Sequence, residues 1–181
     1  MPEGATLTSE QLAVLASPTR SEVYVRLRAL GQGSAREVGE ALGRSPESVH
    51  YHLMALEKVG LIHAVMRRPT ARKPETVFAP TAKRVILPDP RTSTEVARLN
   101  RKTVLAGMRG AMRGYAAASE RGETDPSLFG LIAVQRLNMR LSPDDFKELN
   151  RRLKELSEWA NERQAEEGIP LHWHSIIYPT D

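Results

Sequence analysis

The sequence predicts an α+β protein made of two consecutive parts. Two observations support the first part: a pair of capped amphipathic helices lies between residues 34 and 60, and two short apolar runs flank a basic loop directly after it. A helical stretch from residue 93, followed by alternating and helical segments, supports the second part. The expected order is a helix-turn-helix and hairpin over residues 1–88, then a long helix and a small strand-helix-strand unit over residues 89–181.

The first helix of the pair begins at Ser34, whose hydroxyl can cap the free backbone N–H groups that follow it. Val38 and Leu42 lie four residues apart and predict one buried face. Gly43 then supplies the turn, because a residue without a Cβ adopts the left-handed conformation at no steric cost. The local pattern therefore predicts a short helix followed by a tight turn.

The second helix begins at the cap Ser45 and ends at Gly60. Its residues Val49, Leu53 and Leu56 recur at spacings of four and three and predict the buried face. The opposite face carries side chains that can meet base edges or phosphates: Glu47, Ser48, His50, Tyr51, Met54 and Lys58. An ordinary surface helix also satisfies this periodicity, so the helix pair alone leaves the function open.

A basic hairpin is predicted directly after the second helix. Apolar runs that begin at Leu61 and Thr76 flank a loop with prolines at 69 and 74. The cations of this loop are Arg67, Arg68, Arg72 and Lys73. Such cations replace counterions condensed on nucleic-acid phosphates. A merely solvated hairpin is the alternative, and the order of helix pair and hairpin favours contact with DNA.

Two motifs of this region resemble the winged-helix repressors of the ArsR type. The run LASPTR, residues 15–20, is similar to the Leu-Ala-x-Pro-x-Arg opening of that family. The second motif lies on the second helix, the recognition helix of the family, where the matching positions are Ser45, Val49, His52, Leu53, Leu56, Gly60, Leu61 and Ile62. Ser45 stands one position closer to Val49 than in some members. The likeness covers about residues 8–85, and it identifies the hairpin of residues 61–81 as the wing.

The resemblance implies a dimeric transcriptional regulator, usually a repressor, that binds a near-palindromic operator in double-stranded DNA. It places base contacts on the exposed N-terminal half of the recognition helix, at Glu47, Ser48, His50 and Tyr51. The expected phosphate contacts are Arg44, Lys58 and the wing cations Arg67, Arg68, Arg72 and Lys73, and Ser45 completes the expected DNA-binding set. His52 is expected to be a partly buried packing residue.

The charge of the chain supports the same assignment. Residues 1–91 hold 13 Lys and Arg against nine Asp and Glu, whereas residues 92–181 hold 13 of each. The whole formal surplus of +4 therefore belongs to the first half. A surplus confined to one module is typical of contact with nucleic acid rather than with a membrane or an acidic substrate.

The second half is expected to provide the dimer contact. After the break at residues 85–94, a helix to about residue 119 carries small residues at 107, 111, 114 and 118, which leave room for a second helix. A helix packed only within its own subunit is the alternative. Alternation from Val134 to Leu141 predicts a strand, the cap Ser142 opens a helix to about residue 167, and residues 169–178 predict a final strand.

The sequence favours a regulator over an enzyme. Asp144 and Asp145 stand at a helix start, where they suit the helix dipole better than paired acid–base chemistry. No nucleophile elbow, phosphate loop or dinucleotide fingerprint occurs. The alternatives are a winged-helix module that binds proteins instead of DNA, or a second half that is an enzyme domain governed by the first.

No metal or other cofactor is predicted. His172 and His174 could share one face of a strand and meet a metal or an anion, but the chain has no cysteine and departs from the metal-sensing pattern of the family. Trp159 and Trp173 leave a small organic effector open as an alternative. No apolar run reaches the roughly 20 residues of a membrane span. The protein is therefore expected to be cytoplasmic.

Overall fold

The computed structural model of the protein describes residues 2, 4–71, 73–163, 165, 168–169 and 171–179. It confirms a mixed helical and sheet architecture with an N-terminal helix-turn-helix. The chain forms two compact units, one of residues 1–117 with 172–181 and one of residues 118–171. These units are defined by compactness, and the predicted domain boundary after residue 88 stays a prediction.

The first unit contains four helices before the wing, and the last two stand where the helix pair is predicted. The four helices are α1 (Ser9–Leu15), α2 (Pro18–Leu30), α3 (Ala35–Leu42) and α4 (Pro46–Lys58). The predicted caps are formed: the Ser34 hydroxyl accepts the Glu37 N–H at 3.3 Å, and the Ser45 hydroxyl accepts the Ser48 N–H at 3.3 Å. Helices α3 and α4 are therefore the predicted helix pair.

The turn between α3 and α4 depends on two glycines. Gly43 has φ 62°, the left-handed conformation that the sequence predicts there. Gly39 lies inside α3, where a Cβ would stand 2.7 Å from the Arg44 carbonyl oxygen. Only glycine allows this approach without a backbone shift, so Gly39 sets how closely the turn folds back on α3. Periodicity within a single helix does not reveal such a contact.

The strands of the first unit form two small sheets. They are β1 (Ala5–Thr6), β2 (Gly33–Ser34), β3 (Ile62–Arg68), β4 (Glu75–Pro80) and β5 (Val85–Ile86). In the described residues β1 pairs in parallel with β5, and β2, β4 and β3 form an antiparallel sheet in that order. Strands β3 and β4 are the hairpin of the predicted wing, with a bulge between Ala64 and Met66.

The core of the first unit contains the predicted buried face of the recognition helix. Val49, Leu53 and Leu56 of α4 are fully buried together with Val38 of α3 and Phe78 of β4. Their spacing along α4 places them on one side, so the other side of the helix remains at the surface. The core therefore fixes the orientation in which α4 presents its polar residues.

A long helix, α5 (Thr94–Thr124), follows the 3₁₀ helix Pro90–Thr92. It continues about five residues beyond the predicted end. Leu99 and Ala106 are buried, and the Thr103 hydroxyl donates a hydrogen bond to the Leu12 carbonyl at 3.1 Å. The first turns of α5 therefore pack against α1 of the helix-turn-helix.

The second unit contains the end of α5, the 3₁₀ helix Pro126–Leu131 and α6 (Pro143–Glu162). The cap of α6 is the predicted one, since the Ser142 hydroxyl accepts the Asp145 N–H at 3.1 Å. The two strands predicted at either side of α6 are not formed in the described residues of 132–142 and 168–179. Alternation of apolar and polar residues indicates which face of a strand would be buried. It does not identify a second strand whose backbone could form hydrogen bonds with the first.

Candidate nucleic-acid interface

The recognition helix α4 exposes the four side chains predicted to contact bases. Glu47, Ser48, His50 and Tyr51 all lie at the surface, on the side of α4 opposite the buried Val49. The Tyr51 ring meets the ring of His52 edge-on, with centroids 5.3 Å apart. This contact limits the motion of the aromatic group, while the residue remains 65% exposed.

The turn that precedes α4 holds Arg44 in an ion pair. Arg44 Nη2 lies 2.9 Å from Glu22 Oε2, and Arg113 Nη2 of α5 lies 3.3 Å from the other oxygen of the same carboxylate. The Glu22 side chain is only 17% exposed. Its two ion pairs join α2, the turn and α5. Arg44, one of the predicted phosphate contacts, is therefore partly exposed and already pairs with a carboxylate of the protein.

The wing presents two kinds of cation. Arg68 Nη1 lies 2.6 Å from Glu37 Oε1, which ties the wing to α3. The Ser34 N–H and then Arg68 hold the pKa of Glu37 below its usual range. Arg67 and Lys73 are exposed, and no acid among the described residues lies within ion-pair distance of either of them or of Lys58. Arg72 lies outside the described residues.

Comparison with protein families matches the same segment. Residues 15–65 fit a family model described as a helix-turn-helix domain. The N-terminal half carries a helix-turn-helix domain. The match runs from the end of α1 through the recognition helix into β3, and it confirms the predicted resemblance of this half. The helix-turn-helix domain supports a DNA-binding transcriptional regulator.

Two solved structures of a mutant of Lactococcus lactis ZitR, one of them in apo form, are similar to the chain at 18% identity. They cover 84% and 86% of this chain and 83% and 77% of their own, each with a TM-score of 0.26. The comparison with curated proteins found no match. None of the described helices is long and apolar enough to cross a membrane.

His52 packs behind the exposed face of the helix-turn-helix domain. It is half-buried, as predicted, and in the described part of the chain its Nδ1 atom has no hydrogen-bond partner. Burial and then the charges of Arg20 and Arg44 lower the pKa of His52 from its ordinary value of 6.5. The folded domain therefore favours the neutral imidazole at this position.

The depressed pKa of His52 predicts a pH dependence of stability. Because the pKa of His52 is lower in the folded chain than in the unfolded chain, its protonation lowers the free energy of unfolding. The full contribution is present above pH 6.5 and is lost as the pH falls through the pKa of the folded state. His52→Gln should therefore lose less stability between pH 7 and pH 5 than the native protein does in urea unfolding. His63→Gln, at an exposed histidine of β3, is the control and should follow the native pH dependence. Equal pH profiles for His52→Gln and the native chain would contradict the prediction.

The histidines near the C-terminus form a pair. The rings of His172 and His174 are 6.1 Å apart, and burial, His174 and Arg26 lower the pKa of His172. In the described residues no group of three or more His, Cys, Asp or Glu side chains is placed to hold a metal ion. A Cβ built on Gly107 of α5 would lie 3.3 Å from His174, so this histidine packs against α5.

Proposed function

We propose that the protein is a cytoplasmic transcriptional regulator, acting as a repressor, that binds a near-palindromic operator as a homodimer and catalyses no reaction. The observation that carries this proposal is the surface shared by α4 and the wing. Glu47, His50 and Tyr51 are exposed on the recognition helix. Arg67 and Lys73, which have no acid partner among the described residues, lie on the hairpin that follows it. Polar groups on a helix read base edges, and hairpin cations hold phosphates.

The dimensions of α4 suit the major groove. Its 13 residues form a helix about 20 Å long whose N-terminal end carries the exposed reading residues. A helix-turn-helix of this kind places the N-terminal residues of its recognition helix at base edges. In a dimer, two such helices would lie in successive major grooves about 34 Å apart.

The exposed face of α5 supports the homodimer. Leu105, Met112 and Tyr115 are exposed large side chains on this helix. Burying this face against the same face of a second copy would remove apolar area from water, which is the main favourable contribution to such an association.

Selection of bound duplexes from a random DNA library tests the proposal. We expect enrichment of a near-palindrome with half-sites one helical turn apart, together with a dimer in sedimentation. Lack of enrichment, with no retention of random duplex at low salt, would contradict DNA binding and favour the protein-interaction alternative. A single enriched half-site and a monomer in sedimentation would contradict the homodimer only.

Neutralising Glu22 should strengthen DNA binding. Glu22→Gln keeps a hydrogen-bond acceptor near Arg44 but removes the charge that compensates it, so Arg44 becomes a stronger phosphate ligand. We expect a higher affinity and a slope of log affinity against log salt that is steeper by up to about 0.9. The measurement is fluorescence anisotropy of a labelled duplex over a salt series.

The control for Glu22→Gln is Glu10→Gln, which removes the same charge from an exposed position on α1. This variant raises the net charge by the same amount but leaves Arg44 paired. We expect its salt slope to equal that of the native protein. A slope that steepens equally in both variants would show an effect of net charge alone.

A further inference from the structure

A groove lined in part by apolar side chains lies between the recognition helix and the wing. Its volume is about 510 Å³, and residues of α4, β3 and β4 line it, Phe78 among them. The side chains of Met54, Val65 and Met66 line it and remain exposed, at 45%, 39% and 50%. Three exposed apolar side chains in one groove, with none of them needed for the core, indicate a binding surface.

The groove adjoins the exposed face of α4 that is proposed to contact bases. Met54 follows His50 by four residues and Tyr51 by three, so the three side chains share one face of the helix. His50 of α4 and Arg67 of the wing both line the groove. Whatever contacts the reading residues of α4 therefore also reaches Met54.

The charges around the groove select its occupant. Arg67 has no acid partner in the described residues, and the Glu57 carboxylate inside the groove accepts the Ala64 N–H at 3.1 Å. Beside this bonded carboxylate, the groove therefore presents three apolar side chains and the cation Arg67, which complement an apolar group carried on a polyanion. In the major groove of DNA the group of this kind is the C5-methyl of thymine, which extends from the base edge near the phosphate backbone.

We propose that the groove of Met54, Val65 and Met66 receives the C5-methyl group of a thymine, so that the operator must carry thymine at one position of each half-site. The proposal rests on the proposed function, because it names the base that the same surface reads. Methionine suits this contact, since its flexible thioether adapts to a small apolar group. Specificity at this position would come from shape and apolar contact, without a hydrogen bond.

Replacing thymine by deoxyuridine tests the proposal, because the two bases differ in the C5-methyl alone. Each thymine of the selected half-site is replaced in turn, and affinities are measured by fluorescence anisotropy at fixed salt. We expect one position at which the affinity falls by about fourfold, the factor that burial of one methyl group provides. In the variant with Met54→Gln and Met66→Gln, the ratio between the two duplexes at that position should fall to about one.

The matched control is Met139→Gln, at a methionine of the second unit that is 47% exposed. It should keep the native ratio between thymine and deoxyuridine duplexes. The single variants Met54→Gln and Met66→Gln provide the same comparison should the double variant not fold, as judged by its urea midpoint. Each should reduce the ratio.

The outcomes separate this inference from the proposed function. Absence of binding to any duplex overturns both. Tight and sequence-specific binding with equal affinity for thymine and deoxyuridine at every position overturns only the methyl contact. A selected half-site without thymine also overturns only the methyl contact. So does a position at which the preference for thymine over deoxyuridine is unchanged in the methionine variants.

Discussion

Leu53→Ala is expected to destabilise the helix-turn-helix domain by about 2–5 kcal/mol. Leu53 is 0% exposed and belongs to the buried core of the first unit. Its truncation removes apolar contacts and leaves a cavity that close-packed neighbours fill only in part. Because domains have about 5–15 kcal/mol of stability in total, this single change removes a large share of it. Urea unfolding followed by circular dichroism measures the loss as a lower midpoint.

The neighbouring residue provides the control for Leu53→Ala. Met54 lies on the exposed side of the same helix, so Met54→Ala should change the unfolding free energy by no more than about 0.5 kcal/mol. A similar loss in both variants would show that helix propensity or local fraying determines the effect. A negligible loss for Leu53→Ala would contradict the assignment of this residue to the core.

The sequence was sufficient to predict the helix-turn-helix domain because its signals are local. Caps at Ser34 and Ser45, the left-handed turn at Gly43 and the spacing of Val49 and Leu53 each act within a few residues, and the structure forms all of them. The same spacing also predicts which face of α4 is exposed. This is why the residues expected to read bases are found at the surface.

The ion pairs of the candidate site and the structure of the second half depend on contacts between residues that are distant in the sequence, and a local pattern does not determine these contacts. Arg44 pairs with Glu22, which lies 22 positions away in the sequence, and Arg68 pairs with Glu37, which lies 31 positions away. Composition counts all four wing cations alike, whereas the structure ties Arg68 to α3. The predicted C-terminal strands are not formed in the described residues for a related reason, because the alternation of residues 134–141 contains no information on a pairing partner.

Reversing the free wing cations is expected to weaken binding to every DNA sequence. The double change Arg67→Glu and Lys73→Glu replaces two exposed cations that have no acid partner in the described residues. Each lost phosphate contact should make the slope of log affinity against log salt shallower by about 0.9, so the pair should change it by about 1.8. Titration of specific and random duplexes over a salt series measures both effects.

The control makes the same change in net charge on α6, with Lys147→Glu and Lys154→Glu. These lysines form exposed ion pairs within one helix, which contribute little to stability, so the variant should fold. Its salt slope should remain close to the native one, because only cations near the duplex release counterions. Equal flattening in both variants would assign the effect to net charge, and an unchanged slope in the wing variant would remove the wing from the interface. A shallower slope in the wing variant alone would show that the hairpin meets phosphates while α4 supplies the reading residues.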